Sequence, residues 1–472
     1  MRHFYFIGIG GTAMASVAAA LHAQGHRVQG SDLPLYPPMS TFLDERGIER
    51  HEGYDGARIG TLPPDSVIVV GNAISRGNSE LEAVLREHRR YTSLAALLGE
   101  ELIAGSRSIV ISGTHGKSTT TSLTAWLLES AGLQPGFLVG GIPENFGQGC
   151  RMSPAGGVFV SEGDEYDTAF FDKRSKFVHY RPDIAVVHNV EFDHADIFDN
   201  IEQIKRSFRH FLQLVPDNGV IAVNADDHHA MDVAANAHAP VVTYGFGYSS
   251  DVRARDIRYF DGKSHFTVRD RRDGHEYRFA LPMAGEFNIM NALAAIVAVR
   301  ALGVSDEAIQ QGFDSFRGLK RRMEVLAEIA GITVIDDFAH HPTALRLTLT
   351  ALREKYPGRR LVACFEPRSN TTTRNIYQQE IAEALAVADV AVIGAIDRPQ
   401  RYSEEQRLSP ERVADSLRAQ GRLARAIPDA GEMVRWLGEV LLEGDVIALC
   451  SNGKFGNARQ LVQNMLHERC TV

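Results

Sequence analysis

The chain has 472 residues, more than one hydrophobic core normally supports, so about three domains of ordinary size are expected. With 44% hydrophobic and 23% charged residues it reads as globular, and a net charge of -9 argues against a broad nucleic-acid or membrane surface, because phosphate-rich partners are drawn by basic fields. Cys150, Cys364, Cys450 and Cys470 lie far apart without metal-ligand spacing, which points to a reducing, cytoplasmic setting, and no stretch is long and apolar enough to span a membrane.

Residues 3–100 alternate short apolar runs ("HFYFIGIGG", "HRVQGSD", "SVIVVGNAI") with helical patterns, which predicts a parallel sheet with crossover helices. The stretch Phe4 to Leu21 after Arg2 has the composition of a secretory leader, but Gly8, Gly10 and Gly11 fall where a strand turns into a helix. Gly8-Ile9-Gly10-Gly11-Thr12-Ala13 fits a dinucleotide fingerprint with alanine in its last place. Gly10 and Gly11 would let backbone approach a pyrophosphate at a helix N-terminus, and Asp32 lies where a ribose-binding acid belongs. A tight turn that binds nothing explains the same residues.

From residue 106 the pattern restarts with "RSIVISG" and continues through "GGVFVSEGDEYD", "DIAVVHNVEFDHAD" and "NGVIAVNADD", again buried strands in a mostly parallel order. Within it, Gly113, Thr114, His115 and Gly116 precede Lys117, Ser118 and Thr119, a phosphate-binding pattern in which Ile111 stands where the usual spacing asks for glycine. Lys117 suits β- and γ-phosphate oxygens, and the Ser118 hydroxyl suits Mg²⁺. Two acidic clusters end the next apolar runs: Glu162, Asp164, Glu165 and Asp167, then Glu191, Asp193, His194 and Asp196. Loops after successive parallel strands meet on one edge, so Glu162 and His194 are expected to face the phosphate loop as ligands of Mg²⁺ or Mn²⁺. Taken singly, each acid is an ordinary turn or cap residue.

Between about 251 and 283, period-two alternation around Asp-Gly turns predicts antiparallel hairpins. In the following "EFNIMNALAAIVAVRALG" helix, Asn288 and Asn291 are either capping residues or donors and acceptors for an adenine edge. The run Lys320, Arg321 and Arg322 is a solvated linker from which one arginine could reach a transferred phosphate. A third α/β series follows, with Asp336, Asp337, His340, His341, "EPRSN" and "SNGKFG" each after a strand.

In this order, the opening fingerprint, "GTHGKST", "EGDEYD", "FDHAD", "FNIMN", "KRRMEV" and "DDFAHHPT" resemble the Mur ligases of bacterial cell-wall synthesis, over essentially the whole chain. That family's ATP loop carries the shorter Gly-Thr-x-Gly-Lys-Ser/Thr form. The resemblance implies an α/β protein of three domains: a Rossmann-like UDP-sugar domain at 1–105, a central P-loop domain at 106–317 with a mostly parallel sheet and small antiparallel flank, and a Rossmann-like domain at 318–472 receiving the amino acid or peptide. It implies ATP and Mg²⁺ as cofactors, and amide formation through an acyl phosphate.

By resemblance, Gly113 to Thr119 bind the phosphates, with Lys117 and Ser118 central. Ser118, Glu162 and His194 hold metal, Asn291 serves adenine with Asn288 beside it as a further candidate, Asp337 the ribose, and Arg322 the phosphate. Gly10, Gly11 and Asp32 would serve the uridine diphosphate part. Several relatives carry a carbamylated lysine ahead of the "VNADD" segment, where this chain reads "RHFLQLV", so a second metal would be held differently. Within the family, "YPPMST", "GNAISRGN", "FFDKRSKFVHYRP", "EFDHADIF" and "EPRSNT" resemble the branch that joins L-alanyl-γ-D-glutamyl-meso-diaminopimelate to UDP-N-acetylmuramate in peptidoglycan recycling. The branch adding a single L-alanine is the alternative. A peptide acceptor asks for an added anion contact, and Arg368 is the candidate. A nicotinamide-dependent dehydrogenase would leave Lys117 and the acids idle, and a P-loop ATPase would need no acceptor.

Overall fold

The computed structural model describes residues 1–35 and 39–470; Tyr36, Pro37 and Pro38 of the "YPPMST" run lie outside the described residues. Strands β1 (His3–Ile7), β2 (Arg27–Asp32), β3 (Glu49–Glu52), β4 (Val67–Val70) and β5 (Tyr91–Ser93) form a parallel sheet in the order β3-β2-β1-β4-β5. Every residue of β1 and β4 is buried, as continuous apolar runs must be when crossover helices cover both faces. The order reverses beside β1, so its Gly8 to Gly11 loop opens at the switch point of the sheet.

The central sheet contains β6 (Arg107–Ser112), β7 (Gly136–Leu138), β8 (Cys150–Arg151), β9 (Val158–Gly163), β12 (Ile184–Val187), β13 (Val220–Asn224), β14 (Val241–Gly245), β15 (Val252–Phe260), β16 (Lys263–Asp270) and β17 (Glu276–Leu281). A separate hairpin, β10 (Asp167–Ala169) and β11 (Asp172–Ser175), follows β9. Strand order is β17-β16-β15-β14-β13-β12-β6-β9-β7-β8, parallel from β15 to β7, while β15, β16 and β17 run antiparallel as the alternating sequence predicts. Asp261 and Gly262 both take positive φ (52° and 70°) between β15 and β16, the backbone a tight two-residue turn requires.

Strand β6 sets up the site. It pairs in parallel with β9 on one side and β12 on the other, with Ser112 opposite both Gly163 and Val187. Three strands therefore end level, and their following loops share one edge. Helix Glu286–Arg300 is buried on nearly all sides between this sheet and helix Lys117–Ser130, which explains its uniformly apolar sequence.

The last sheet comprises β18 (Glu324–Ile329), β19 (Ile332–Asp337), β20 (Leu361–Phe365), β21 (Val390–Ile393), β22 (Leu423–Ala426) and β23 (Val446–Cys450) in the order β18-β19-β23-β20-β21-β22. Only β18 is antiparallel. Three sheets, each with its own helices, give the α/β architecture expected. Among the described residues no helix is long and apolar enough to cross a membrane.

Candidate active site

The loop after β6 is shaped by its glycines. Gly113 and Gly116 hold φ of 142° and 82°, and a Cβ on Gly116 would stand 2.5 Å from Asn291 Oδ1 and 2.8 Å from the His188 ring. Gly116 caps helix Lys117–Ser130 without a side-chain acceptor, so the first helical N–H groups and the positive end of the dipole remain available to an anion. Asn189, on the loop after β12, clamps this turn: its backbone oxygen accepts from Thr114 N at 3.1 Å and its side-chain oxygen from His115 N at 2.7 Å. Ile111 is fully buried within β6, so the loop begins only after Ser112.

Lys117 Nζ donates to Gly113 O at 2.7 Å and to Glu165 Oε2 at 3.0 Å, with Asp164 4.0 Å away. Burial works against its charge, but Glu165 and Asp164 more than offset that and keep the ammonium protonated. Burial would push the Glu165 carboxyl up, yet Lys117 and His194 hold it down at about 2. His194 Nε2 lies 3.5 Å from the other Glu165 oxygen, and its imidazole affinity for a proton is raised: burial lowers it, Glu165 and Asp193 outweigh the burial. His194 sits at φ 52°, a left-handed conformation held in place at the site's centre.

Ser118 Oγ donates to Glu162 Oε2 at 3.0 Å, and Gly140 N donates to Glu162 Oε1 at 2.5 Å. Burial and the Asp164 charge push the Glu162 carboxyl up, a shift that a cation beside it would oppose. Asn288 and Asn291 lie inside their helix, not at its cap, which is Gly285. Asn291 accepts from Thr120 Oγ1 at 3.2 Å and donates to Asn288 Oδ1 at 3.1 Å, and Asn288 donates to Ala284 O at 2.8 Å. Both amides brace the underside of the phosphate loop. Thr119 is buried in the same helix.

The loop after β12 also meets the last domain. Thr343 Oγ1 donates to Glu191 Oε2 at 2.7 Å, Thr371 Oγ1 to Asp193 Oδ1 at 2.6 Å, Asn370 Nδ2 to Asp196 Oδ2 at 2.8 Å and Tyr377 OH to Phe192 O at 2.7 Å. Between the domains the three basic residues differ. Arg321 is fixed by Asp336 and by the carbonyls of Ser451 and Gly453. Arg322 rests its guanidinium 5.0 Å from the Phe338 ring centroid and makes no ion pair among the described residues, which leaves it donors that Arg321 has already committed. Asp337 accepts from Met323 N at 2.7 Å, Ala339 N at 2.8 Å and Thr348 Oγ1 at 3.2 Å; buried and so engaged, it anchors the linker.

Arg368 lines an open cleft of about 290 Å³ with His194, His340, Asn370, Arg398 and Asn452. Its guanidinium stands 3.7 Å from both Glu366 and Asp397, and a Cβ on Gly453 would collide with it at 2.3 Å. The first glycine loop lies apart from these. There Asp32 accepts from Gly10 N and Leu33 N, both at 2.7 Å, and from Tyr54 OH at 3.1 Å, so its carboxylate holds the turn closed. A Cβ on Gly10 would meet Leu35 at 2.0 Å, whereas Gly11 has no neighbour nearer than 3.6 Å and leaves the helix N-terminus uncapped.

Spacing singled out neither Glu165, one of four acids in "EGDEYD", nor Asn189, which no motif marks. Only the register of β6, β9 and β12 distinguishes them.

Family models match residues 3–105 (Mur ligase family, catalytic domain), 111–299 (Mur ligase middle domain) and 321–453 (Mur ligase, glutamate ligase domain). A UDP-N-acetylmuramate–L-alanyl-γ-D-glutamyl-meso-2,6-diaminoheptandioate ligase of Haemophilus influenzae is 39% identical, over 99% of this chain and 99% of its own. A UDP-N-acetylmuramate–L-alanine ligase of Variovorax paradoxus is 34% identical over 97% of this chain and 93% of its own. The crystal structure of a murein peptide ligase from Psychrobacter arcticus aligns with a TM-score of 0.75 at 34% identity, covering 99% of both chains. With three family models laid end to end along it and full-length relatives above 30% identity, the chain belongs to the Mur ligase family.

Proposed function

We infer that this chain is an ATP-dependent amide ligase joining L-alanyl-γ-D-glutamyl-meso-diaminopimelate to UDP-N-acetylmuramate. The observation that carries the reading is the shared edge of β6, β9 and β12, where an uncapped helix N-terminus, a protonated Lys117, the Ser118–Glu162 pair and the Glu165–His194 pair converge. Such an edge suits phosphoryl transfer, in which charge neutralisation and positioning do most of the work.

In this reading residues 1–105 take the UDP-sugar with Gly10 and Gly11 at the helix start, residues 106–317 take ATP, and residues 318–472 take the peptide. Gly113 to Thr119 present N–H groups to the triphosphate. Lys117 leaves Glu165 to pair with the β- and γ-phosphates, and Arg322 turns its guanidinium onto the transferred group. The substrate carboxylate takes the γ-phosphoryl group with release of ADP. The peptide amine then attacks the acyl carbon, phosphate leaves, and the amine's proton is lost. Mg²⁺ fits the hydroxyl and carboxylate donors of Ser118 and Glu162, with His194 beside them, and when bound it supplies further charge neutralisation. Asn288 and Asn291 support the loop against adenine, and Asp337 sets the linker that brings Arg322 and the ribose side together. Arg368 and Arg398 in the cleft beside His194 suit the carboxylates of a peptide acceptor. The greater identity to the tripeptide-named relative favours this acceptor over L-alanine.

The test supplies ATP, Mg²⁺ and UDP-N-acetylmuramate, with the tripeptide or L-alanine as acceptor, and counts phosphate and amide. Tripeptide-dependent phosphate release in step with amide is expected. Preference for alanine would move the chain to the single-residue branch, and acceptor-independent release would contradict a ligase.

A further inference from the structure

A second cluster lies beside the site, and its side chains are used by none of the steps above. His115 on the phosphate loop, Glu191 on the loop after β12 and His341 at the start of helix Pro342–Lys355 each place a ligand atom within 4.8 Å of the other two. His115 Nε2 stands 3.6 Å from Glu191 Oε1, and His341 Nδ1 stands 3.6 Å from Glu191 Oε2. Those separations are too long for direct hydrogen bonds. They are close to the roughly 3.4 Å edge of a tetrahedron drawn around an ion with bonds of about 2.1 Å.

Two further observations point to a ligand. His115 Nε2, which faces Glu191 Oε1, is buried and has no hydrogen-bond partner among the described residues, an uncommon state for a buried polar atom. His341, 2% exposed, turns Nδ1 rather than Nε2 to the same carboxylate. Its competing contact is weak: Thr343 N approaches Nδ1 at 3.3 Å. Thr343 Oγ1 meanwhile donates to Glu191 Oε2 at 2.7 Å and orients the carboxylate, as outer partners of metal ligands do.

We propose that His115 Nε2, the Glu191 carboxylate and His341 Nδ1 form a binding site for a borderline transition-metal dication of the Zn²⁺ class, joining the phosphate loop to the last domain. Two imidazoles and one carboxylate favour such an ion over Mg²⁺, which prefers oxygen ligands and near-octahedral hydration. The site shares no residue with the Ser118–Glu162 position and does not depend on what the enzyme ligates. Because its ligands come from both sides of the domain seam, the bound ion would hold the two domains in this relative position.

Co²⁺ serves as the spectroscopic probe on the full-length chain, stripped with chelator and dialysed, without nucleotide. One equivalent should bind and develop the strong visible bands of low-coordinate Co²⁺; Zn²⁺ should displace it, and excess Mg²⁺ should not. His341→Asn keeps an acceptor at the helix cap, and Glu191→Gln keeps the hydrogen bond from Thr343. Loss of an outer-shell partner already costs roughly 10–100-fold in metal affinity, so each variant should weaken Co²⁺ binding by at least that much. A double His228→Gln, His229→Gln variant removes an imidazole pair with ring centroids 3.8 Å apart elsewhere on the molecule and should bind normally. Circular dichroism and melting curves verify that the variants fold. Absence of the bands in the native chain, their persistence in both His341→Asn and Glu191→Gln, or displacement by Mg²⁺ would overturn the proposal.

Discussion

The carboxylate of Glu165 stands 3.0 Å from the ammonium of Lys117 and occupies the place where a phosphate-binding lysine would meet its ligand. Glu165 is 1% exposed and its second oxygen faces His194 at 3.5 Å, so lysine, glutamate and histidine form one charge-balanced chain across three loops. In the absence of nucleotide, Glu165 keeps a cation inside the fold that burial alone would discharge.

Glu165→Gln should therefore destabilise the free protein. Removing one partner of a buried ion pair costs roughly 3–5 kcal/mol, and the retained amide and Asp164 place this variant near the lower end. Saturating ATP should narrow the gap in melting temperature, because the triphosphate gives Lys117 a new counter-charge. Melting curves with and without nucleotide check both parts; a gap unchanged by ATP would contradict the role given to Lys117.

Stability should fall with acid below neutrality through His188. Its ring is buried under the phosphate loop, bonded to Tyr244 OH at 2.8 Å, and burial lowers it from 6.5 to about 4. The unfolded chain takes up this proton near pH 6.5, the folded chain only near pH 4. The contribution is thus complete above pH 6.5 and is lost as pH falls towards 4, on the order of 3 kcal/mol. His188→Gln should flatten the stability profile in that window, as read by denaturant titration.

Arg321 and Arg322 are neighbours with opposite duties. Arg321→Ala removes bonds to Asp336, Ser451 and Gly453 and should cost about 1–3 kcal/mol of stability. Arg322→Ala should change stability by no more than about 0.5 kcal/mol while lowering turnover by roughly 10-fold to 1000-fold, the range for a lost donor to transition-state charge. Paired melting and kinetic measurements separate them.

Arg368→Ala should raise the KM for the peptide by roughly 10-fold to 100-fold, the worth of one charge-assisted hydrogen bond, with little change in the KM for ATP. Its position in the cleft beside His194 motivates this. Equal loss towards both substrates would count against a peptide contact.

Much of this was legible in the chain itself, for reasons that differ by element. The alternation of β15 to β17 and the buried runs of β6, β9 and β12 carry their own periodicity, so fold class and the phosphate loop follow from the sequence. Gly113 and Gly116 are readable because only glycine takes their backbone conformations cheaply. Glu165 was not readable as the partner of Lys117, because which of four neighbouring acids points inward is set by strand register, which composition does not record. Asp32 has the spacing of a ligand-binding acid and Asp337 takes a ribose role by resemblance, yet each is engaged within the protein, by Gly10 and Tyr54 or by Met323 and Thr348. Such engagement is tertiary and leaves no trace in spacing. The His115–Glu191–His341 cluster draws on three segments far apart in sequence and becomes visible only when the domains meet.

Carboxylate activation by phosphoryl transfer at the β6 edge is tested most directly by isotope transfer. UDP-N-acetylmuramate labelled with ¹⁸O in its carboxylate is turned over with ATP, Mg²⁺ and the tripeptide, and the released phosphate is examined by mass. One labelled oxygen should pass into phosphate for each amide formed, and Lys117→Ala should abolish both. Amide formation accompanied by unlabelled phosphate would contradict the acyl-phosphate route and the assignment built on it.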